Sequence, residues 1–301
     1  MKPVDFQYVR PLTVADAIAA LIGAGGDGKI IAGGQSLGPL LNMRLARPAL
    51  LVDVNAIPEF RNIDETDDGI RFGATVRQRE AERSPAVVRR LPLMRDALPH
   101  IGHTHTHTRN RGTIVGSIVH ADPSAELPLV AVCLDAVVEI TGPGGSRDVA
   151  IADFYLGYLA TDLAADEVAL AVRFPTTPLP PDVRRGTAFL EMARREGDFA
   201  IVGAAAQIDV DLRARRVIDV RLGLTGVAGA PFRFHDGEAM VRAATDPQAV
   251  FASVARAAAE AIDPDSDLHA TAAYRRSVAR TLLERALDAA WLHALVADLH
   301  A

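Results

Sequence analysis

The hydrophobic positions of the first sixty residues switch between helical and strand periods. Thr13 followed three residues later by Asp16 is a capping pair, and it predicts a helix that ends near Gly23. Apolar and β-branched runs at residues 29–31 and 50–55 predict two short strands. The apolar stretch between them predicts a helix over residues 36–46, so the chain opens as strand, helix and strand.

The middle of the chain has the two-residue period of β-strands. Residues 69–76 alternate in this way, and Thr75 is placed to cap the polar helix that follows. Two apolar runs flank the turn sequence at residues 142–145, which predicts a hairpin. Residues 168–175 predict a longer strand that ends at a proline.

A proline-rich stretch divides the chain into two unequal parts. Four prolines fall within residues 175–181, a composition typical of a connection between domains. Beyond it, the pattern predicts a strand, a loop and a hairpin, and then two closing helices. The first helix begins at the cap Asp246 followed by Pro247, and the second spans residues 270–295. The predicted fold class is α+β, with the division near residue 178.

Composition narrows the possible partners. The chain has 301 residues, of which 49% are hydrophobic, enough for two or three cores. A net charge of -6 argues against nucleic acid or an anionic membrane as partner. There is neither an apolar run of membrane-spanning length nor a leader-like start, so a cytoplasmic protein without membrane insertion is expected. Cys133 is the one cysteine, which excludes a cysteine-ligated iron–sulfur cluster within this chain.

Two glycine loops carry the candidate chemistry. The first, "AGGQS", follows a predicted strand, and Gly33-Gly34 taken alone is consistent with a simple tight turn. The second, "RGTIVGS", again combines glycines with small hydroxyl residues. Backbone amides and hydroxyl groups in such loops bind pyrophosphate, so the pair predicts a dinucleotide held from two sides.

A Rossmann unit is the first dinucleotide-binding fold to consider. Asp53 lies 20 residues after Gly33, the spacing of a ribose-binding acid. The G-x-G-x-x-G fingerprint is absent, however, and no further alternation of strands and helices follows. The Rossmann interpretation is therefore disfavoured.

Three separated motifs resemble one known family. The stretches "AGGQSLGPLLNMRLARPALLVDVNAI", "RNRGTIVGSIVHADPSAELPLV" and "RREGDFAIV" are similar to the flavoprotein, or medium, subunit of molybdenum hydroxylases of the carbon monoxide dehydrogenase and xanthine dehydrogenase type. The resemblance implies a two-lobed FAD-binding domain of the vanillyl-alcohol-oxidase type and a smaller α+β C-terminal domain. The implied boundaries are 1–177, with lobes at about 1–57 and 58–177, and 178–301.

The resemblance also implies which residues contact FAD. The first loop would wrap the pyrophosphate and the second would close on its other side. Glu126 would meet ribityl or ribose hydroxyls, while Asp122 either touches the cofactor or only forms the turn before Pro123. Asp198 belongs either to a mobile cover over the flavin or to an ordinary loop. The remaining implied contacts are Ala32, Gly33, Gly34, Gln35, Ser36, Leu37, Gly112, Thr113, Gly116 and Ser117 in the loops, and Ile101, Ala169 and Leu170 near the rings.

The implied activity is electron transfer through non-covalently bound FAD. No catalytic residue and no metal ligand is predicted in this chain. By resemblance, a large partner subunit holds molybdopterin and oxidises the substrate. A small partner subunit with two [2Fe–2S] clusters relays electrons to the flavin, which passes them to an external acceptor.

The sequence departs from the family pattern at three places, of which Val115 alone supports a flavin-free alternative. Val115 replaces a glycine of the second loop, and Leu190 or Glu191 stands where a lysine is sometimes found. The alternating His103, His105 and His107 form either a metal-binding face or, as favoured, a polar surface loop. The alternative functions are a flavin-free nucleotide-binding or scaffold protein and a free-standing FAD oxidoreductase.

Overall fold

The computed structural model describes residues 2–102 and 106–296 of the chain. Up to residue 102 the strands and helices are β1 (Gln7–Val9), α1 (Val14–Gly23), β2 (Gly28–Ile31), α2 (Leu37–Asn42), β3 (Leu50–Asp53), β4 (Ile63–Thr66), β5 (Gly69–Gly73), α3 (Gln78–Arg83), α4 (Pro85–Arg90) and α5 (Pro92–Ala97). From residue 106 they are α6 (Thr106–Arg111), α7 (Ile114–His120), α8 (Glu126–Cys133), β6 (Val137–Gly142), β7 (Gly145–Ala150), α9 (Ile151–Phe154), β8 (Tyr155–Gly157), β9 (Ala160–Thr161), β10 (Val168–Pro175), β11 (Val183–Ala193), β12 (Ala200–Asp211), β13 (Arg216–Thr225), β14 (Phe232–Arg233), α10 (His235–Ala243), α11 (Pro247–Ala261) and α12 (Ala272–Val296).

The N-terminal strands form a small parallel sheet in the order β1-β3-β2. Helix α1 begins as predicted, because the Thr13 side chain accepts a hydrogen bond from the Asp16 amide at 3.1 Å. It buries Ala17 and Leu21 in the main core. Since parallel strands end at one edge, the loop after β2 and the turn after β3 emerge side by side.

An antiparallel sheet in the order β4-β5-β10-β6-β7 forms the centre of the main core. The edge-to-face rings of Phe72 and Phe174, 5.6 Å apart, join its middle strands. The pairing of β10 with β6 shifts between Ala169 and Ala171. The predicted hairpin is confirmed as β6 and β7, and the strand predicted at 168–175 is confirmed as β10.

The C-terminal sheet, in the order β11-β12-β13-β14, packs against α10, α11 and α12 and forms a second core. Strand β12 is buried along almost its whole length because it serves both cores. Ala205 belongs to the main core, whereas its neighbours Ala204 and Ala206 belong to the second. Successive side chains of a strand point to opposite faces, and here each face packs on a core. The run of apolar residues along β12 is therefore continuous.

Polar contacts also join the two cores. The Thr225 hydroxyl and the Gly226 amide both donate to the Pro123 carbonyl, at 2.6 Å and 2.7 Å. The Thr187 hydroxyl donates to Asp96 at 2.6 Å. The start of α8 and the end of β13 are thus held together.

Two local predictions were wrong. Thr75 caps no helix; its buried hydroxyl donates to the Phe60 carbonyl at 3.0 Å, and α3 begins only at Gln78. Helix α2 is shorter than the predicted 36–46 and ends at Asn42, shortly before Arg44 takes a positive φ of 59°. The predicted cap at Asp246 is confirmed by its bond to the Ala249 amide.

Cys133 lies in the main core with no exposed surface, and burial raises the pKa of its thiol to about 12. Within residues 2–102 and 106–296, no helix combines the length and apolar character needed to cross a bilayer.

The closest approach of helix to sheet generates a stability prediction. A Cβ on Gly186 in β11 would lie 1.9 Å from the Ala290 carbonyl oxygen and 2.5 Å from the Ala294 amide nitrogen. Replacing Gly186 by Ala should therefore push α12 off the sheet and lower the free energy of unfolding by about 1–3 kcal/mol, the usual cost of overpacking. Urea unfolding measures this, with Gly144→Ala as the control because a Cβ there meets nothing within 4 Å. Equal stability of both variants would contradict the packing argument.

Candidate functional site

The two glycine loops are in direct backbone contact. Gly33 follows β2, and a Cβ on it would lie 2.3 Å from the Arg111 carbonyl oxygen and 2.9 Å from the Gly112 Cα. Glycine is required here by the second loop rather than by a turn. The structure therefore brings together two segments that lie about eighty residues apart in sequence.

The first loop presents a row of unpaired amides. Gly34 has a φ of +69°, which turns the chain into α2. Among the described residues, the N–H groups of Gly33, Gly34, Gln35 and Ser36 donate to no other group of the chain. Ala32 and Leu37 flank this row, half-buried. Successive free amides before a helix form a cradle for an anion, which fits a pyrophosphate.

The second loop runs into α7. The Thr113 hydroxyl caps this helix by accepting from the Gly116 amide at 3.0 Å, while the Gly112 amide donates to the Thr108 carbonyl at 2.7 Å. Gly116 is exposed and Ser117 half-buried. Val115 packs in the main core with 3% of its surface exposed, so this departure from the family pattern places no side chain over the loop.

Two residues that sequence reasoning missed link the loops. The Asn55 side chain donates to the Ala32 carbonyl at 2.8 Å. The Arg77 guanidinium donates to the Asn55 side-chain oxygen at 2.6 Å and to the Arg111 carbonyl at 2.7 Å. A sequence signal existed for Asn55, a polar residue two positions after a buried parallel strand, but none marked Arg77.

The second group of site residues includes the loop between β11 and β12, which carries the predicted site residue Asp198. Asp198 accepts from Arg195 at 3.1 Å and lines two neighbouring cavities. One, of about 350 Å³, is bounded by Gly102 and Thr108. The other, of about 380 Å³, includes Ser124 and Phe199. Phe199 is 75% exposed, so an aromatic face is open to a planar ligand.

Acidic residues meet near the second group. Glu126 begins α8 and is partly buried. Desolvation, together with the charges of Glu191 and Asp122, raises the pKa of Glu126 to about 8. Asp122 also accepts from the Ser124 amide at 2.8 Å, which confirms its turn-forming role. Glu191 lies 3.5 Å from the His100 ring nitrogen.

Three predicted residues lie beneath these groups. Ile101 and Ala169 are buried in the main core, and Leu170 packs against it. Leu170 lies at the irregularity of β10, where its carbonyl accepts from the Ala74 amide at 2.9 Å. Two residues after Ala74, the Val76 carbonyl accepts from the Ile114 amide at 3.1 Å. Leu170 is therefore bonded to the short segment that also contacts the second loop.

Three further features of the sequence are Asp53, Arg109 and the histidines at positions 103, 105 and 107. Asp53 accepts from the Tyr8 hydroxyl and the Asn55 amide, and its three-stranded sheet is not a Rossmann sheet. Arg109, just before the second loop, is 4% exposed and donates to the Ile101 carbonyl at 2.7 Å. His103 and His105 lie outside the described residues, and His107 is part of helix α6.

Comparison with known proteins identifies the family. A profile described as the FAD binding domain in molybdopterin dehydrogenase matches residues 4–177, and one described as the CO dehydrogenase flavoprotein C-terminal domain matches residues 187–290. The chain belongs to the FAD-binding subunits of the molybdenum hydroxylases. The resemblance stated from the sequence and the predicted fold class are both confirmed.

Relatives and solved structures match this flavoprotein chain over almost its whole length. It is 37% identical to the 6-hydroxypseudooxynicotine dehydrogenase complex subunit alpha of Paenarthrobacter nicotinovorans, over 95% of both chains. It is 34% identical to the carbon monoxide dehydrogenase medium chain of Hydrogenophaga pseudoflava, over 97% of this chain and 99% of that one. The carbon monoxide dehydrogenase structure from H. pseudoflava aligns with a TM-score of 0.91 at 34% identity, covering 98% and 100% of the two chains. Quinoline 2-oxidoreductase from Pseudomonas putida 86 gives 0.89 at 33% identity, with the same coverage.

The contact between the glycine loops generates a binding prediction. In Gly33→Ala the new Cβ should separate the loops, because Cβ atoms essentially never lie within 3.0 Å of a non-bonded heavy atom of another residue. The FAD dissociation constant, measured by fluorescence quenching, should rise about tenfold or more. This rise corresponds to a loss of about 1.4 kcal/mol or more of binding free energy. Gly38→Ala is the matched control in the same segment, because its Cβ meets nothing within 4 Å. Wild-type affinity in Gly33→Ala would show that the loop spacing does not matter for binding.

Glu126 generates a pH-dependence prediction. Its pKa is raised from 4.5 to about 8 in the folded chain, so the folded state binds this proton more tightly than the unfolded state between those values. The contribution of Glu126 to the free energy of unfolding is therefore full at low pH and is lost as pH rises through this window. Glu126→Gln removes that loss, so its stability relative to wild type should be higher at about pH 9 than at about pH 5 in urea unfolding. An identical difference at both pH values would contradict the shifted pKa.

Proposed function

We propose that this chain binds FAD non-covalently between its glycine loops and the loop between β11 and β12, as the electron-transferring medium subunit of a molybdenum hydroxylase. The observation that carries the proposal is the row of four free amides of the first loop, held against the second loop. Membership of the family supports the same cofactor.

FAD, when bound, supplies the redox chemistry, and the chain holds and orients it. The proposed pyrophosphate site consists of residues 32–37 together with Gly112, Thr113, Gly116 and Ser117. Glu126 contacts ribityl or ribose hydroxyls, and the other proposed contacts are Ile101, Asp122, Ala169, Leu170 and Asp198. The raised pKa of Glu126 favours the protonated carboxyl, which could both donate a hydrogen bond to a cofactor hydroxyl and accept one from it.

The proposed partners follow from what the chain does not supply. Its one cysteine is buried, so clusters ligated by cysteine belong to a small partner subunit, and molybdopterin to a large one. Relatives named as subunits and medium chains of dehydrogenases support this division. We also propose the division into an FAD-binding domain at 1–177, with lobes at about 1–57 and 58–177, and a C-terminal domain at 178–301, and a location in the cytoplasm.

The alternative of a flavin-free scaffold rested on Val115 alone. Because that side chain is buried in the main core, it does not obstruct the second loop. No observation now favours a flavin-free protein over the flavoprotein.

The division of labour is tested on the purified chain. Acid precipitation should release the yellow cofactor into solution, because it is held by non-covalent contacts alone. Dithionite should bleach the bound flavin, yet heterocycles, aldehydes and carbon monoxide should leave it oxidised, since the substrate site lies on another chain. Adding the co-expressed large and small subunits should give a complex that co-purifies and turns over. Flavin remaining on the denatured chain, or substrate oxidation by this chain alone, would contradict the proposal.

A further inference from the structure

A chain of hydrogen bonds joins the carbonyl groups of the two glycine loops. It runs from the Arg111 carbonyl to the Arg77 guanidinium at 2.7 Å, on to the Asn55 side-chain oxygen at 2.6 Å, and from the Asn55 side-chain nitrogen to the Ala32 carbonyl at 2.8 Å. Arg77 and Asn55 are called the loop clamp below. The clamp contacts both loops through their backbone carbonyl groups.

Both clamp residues are held rigidly. The backbone and side-chain nitrogens of Asn55 donate to Asp53 at 2.9 Å and 2.6 Å, which fixes the amide orientation. The Arg77 amide donates to Glu80 at 2.9 Å, and the Arg77 backbone bridges to Thr113. The clamp therefore connects the parallel sheet, the start of α3 and the second loop.

Peptide geometry gives the clamp a direction. A trans peptide group is planar, so its carbonyl and its N–H point to opposite sides. The Ala32 carbonyl and the Gly33 N–H belong to one peptide group. By holding that carbonyl, Asn55 turns the Gly33 N–H away from itself and into the row of free amides.

The geometry of the Arg77 guanidinium suits a group that bridges two hydrogen-bond acceptors better than one that neutralises a negative charge. Arg77 is half-buried, and its side-chain hydrogen bonds go to a backbone carbonyl and a neutral amide oxygen. Burial, with the nearby charge of Arg111, lowers its pKa. A planar fork can reach both acceptors at once, whereas an ammonium group is a point donor.

We propose that Arg77 and Asn55 are positioning residues for the cofactor: they set the spacing of the two glycine loops and aim the Gly33 N–H at the pyrophosphate. This inference rests on the FAD site proposed above. Neither side chain needs to touch the cofactor, since both act through backbone carbonyls.

The test uses the full chain, freed of flavin and titrated with FAD. The variants are Asn55→Ala, Arg77→Met, Arg77→Lys and the double Asn55→Ala/Arg77→Met. Arg83→Met is the matched control, since Arg83 is an exposed arginine at the end of α3, the helix that directly follows Arg77. Dissociation constants come from fluorescence quenching, and the melting temperature of each flavin-free variant reports the fold.

Each single variant should raise the FAD dissociation constant about tenfold, the effect of one hydrogen bond to a charged group. Arg77→Lys should be as weak as Arg77→Met, because it keeps the charge and loses the bridge. The double variant should bind no more weakly than the weaker single variant, as expected for residues that act as one unit. The control should match wild type.

Other outcomes separate the possible errors. Wild-type affinity in Arg77→Lys would overturn the bridge and assign Arg77 a purely electrostatic role. Lowered melting temperatures with unchanged dissociation constants would overturn positioning and leave a structural role only. If the wild-type chain does not bind FAD, the proposed function itself fails. If wild type binds and all the variants bind equally well, the clamp alone is wrong.

Discussion

The contact between Gly33 and the Arg111 carbonyl is the constraint on which the candidate site depends. Two loops from distant parts of the sequence meet there without any side chain between them. The parallel sheet presents the first loop, and the segment between α6 and α7 presents the second. The first loop offers a row of free amides, and the backbone of the second loop, in direct contact with it, fixes where that row lies. The hydrogen bonds through Arg77 and Asn55 are the polar counterpart of this steric contact.

The second core determines the position of the other part of the candidate site, the loop between β11 and β12. The loop that carries Asp198 and Phe199 joins β11 to β12, and β12 packs on both cores through alternate residues. The position of this loop is therefore set by the same alanines that join the two halves. The row Gly203, Ala204, Ala205 and Ala206 keeps the strand thin enough for helices to approach it from both sides. A site between two domains needs such a shared strand, because a flexible connection would leave the distance between the loops undefined.

Sequence patterns predicted what depends on local periodicity and left out what depends on long-range packing. The cap at Thr13, the hairpin and strand β10 followed from neighbouring residues alone. Thr75 looked like a cap, but the Phe60 carbonyl, supplied by a distant turn, competed for its hydroxyl. Nothing local in the sequence indicates that Arg109 is buried through its contacts with Glu82 and the Ile101 carbonyl. Gly33 was recognised, yet its reason, a carbonyl from the other loop, is visible only in three dimensions.

The shared strand and the Pro123 contacts have a consequence for the connector between the domains. Residues 176–182, rich in proline and largely exposed, form a segment open to a protease. A cut there would break the chain but not the assembly, because Thr225 and Gly226 remain bonded to Pro123 while Phe189 and Ala205 remain packed in the main core. The two fragments should migrate separately on a denaturing gel and elute together in native chromatography. Sensitivity of this connector to proteolysis would thus reveal nothing about the independence of the two halves.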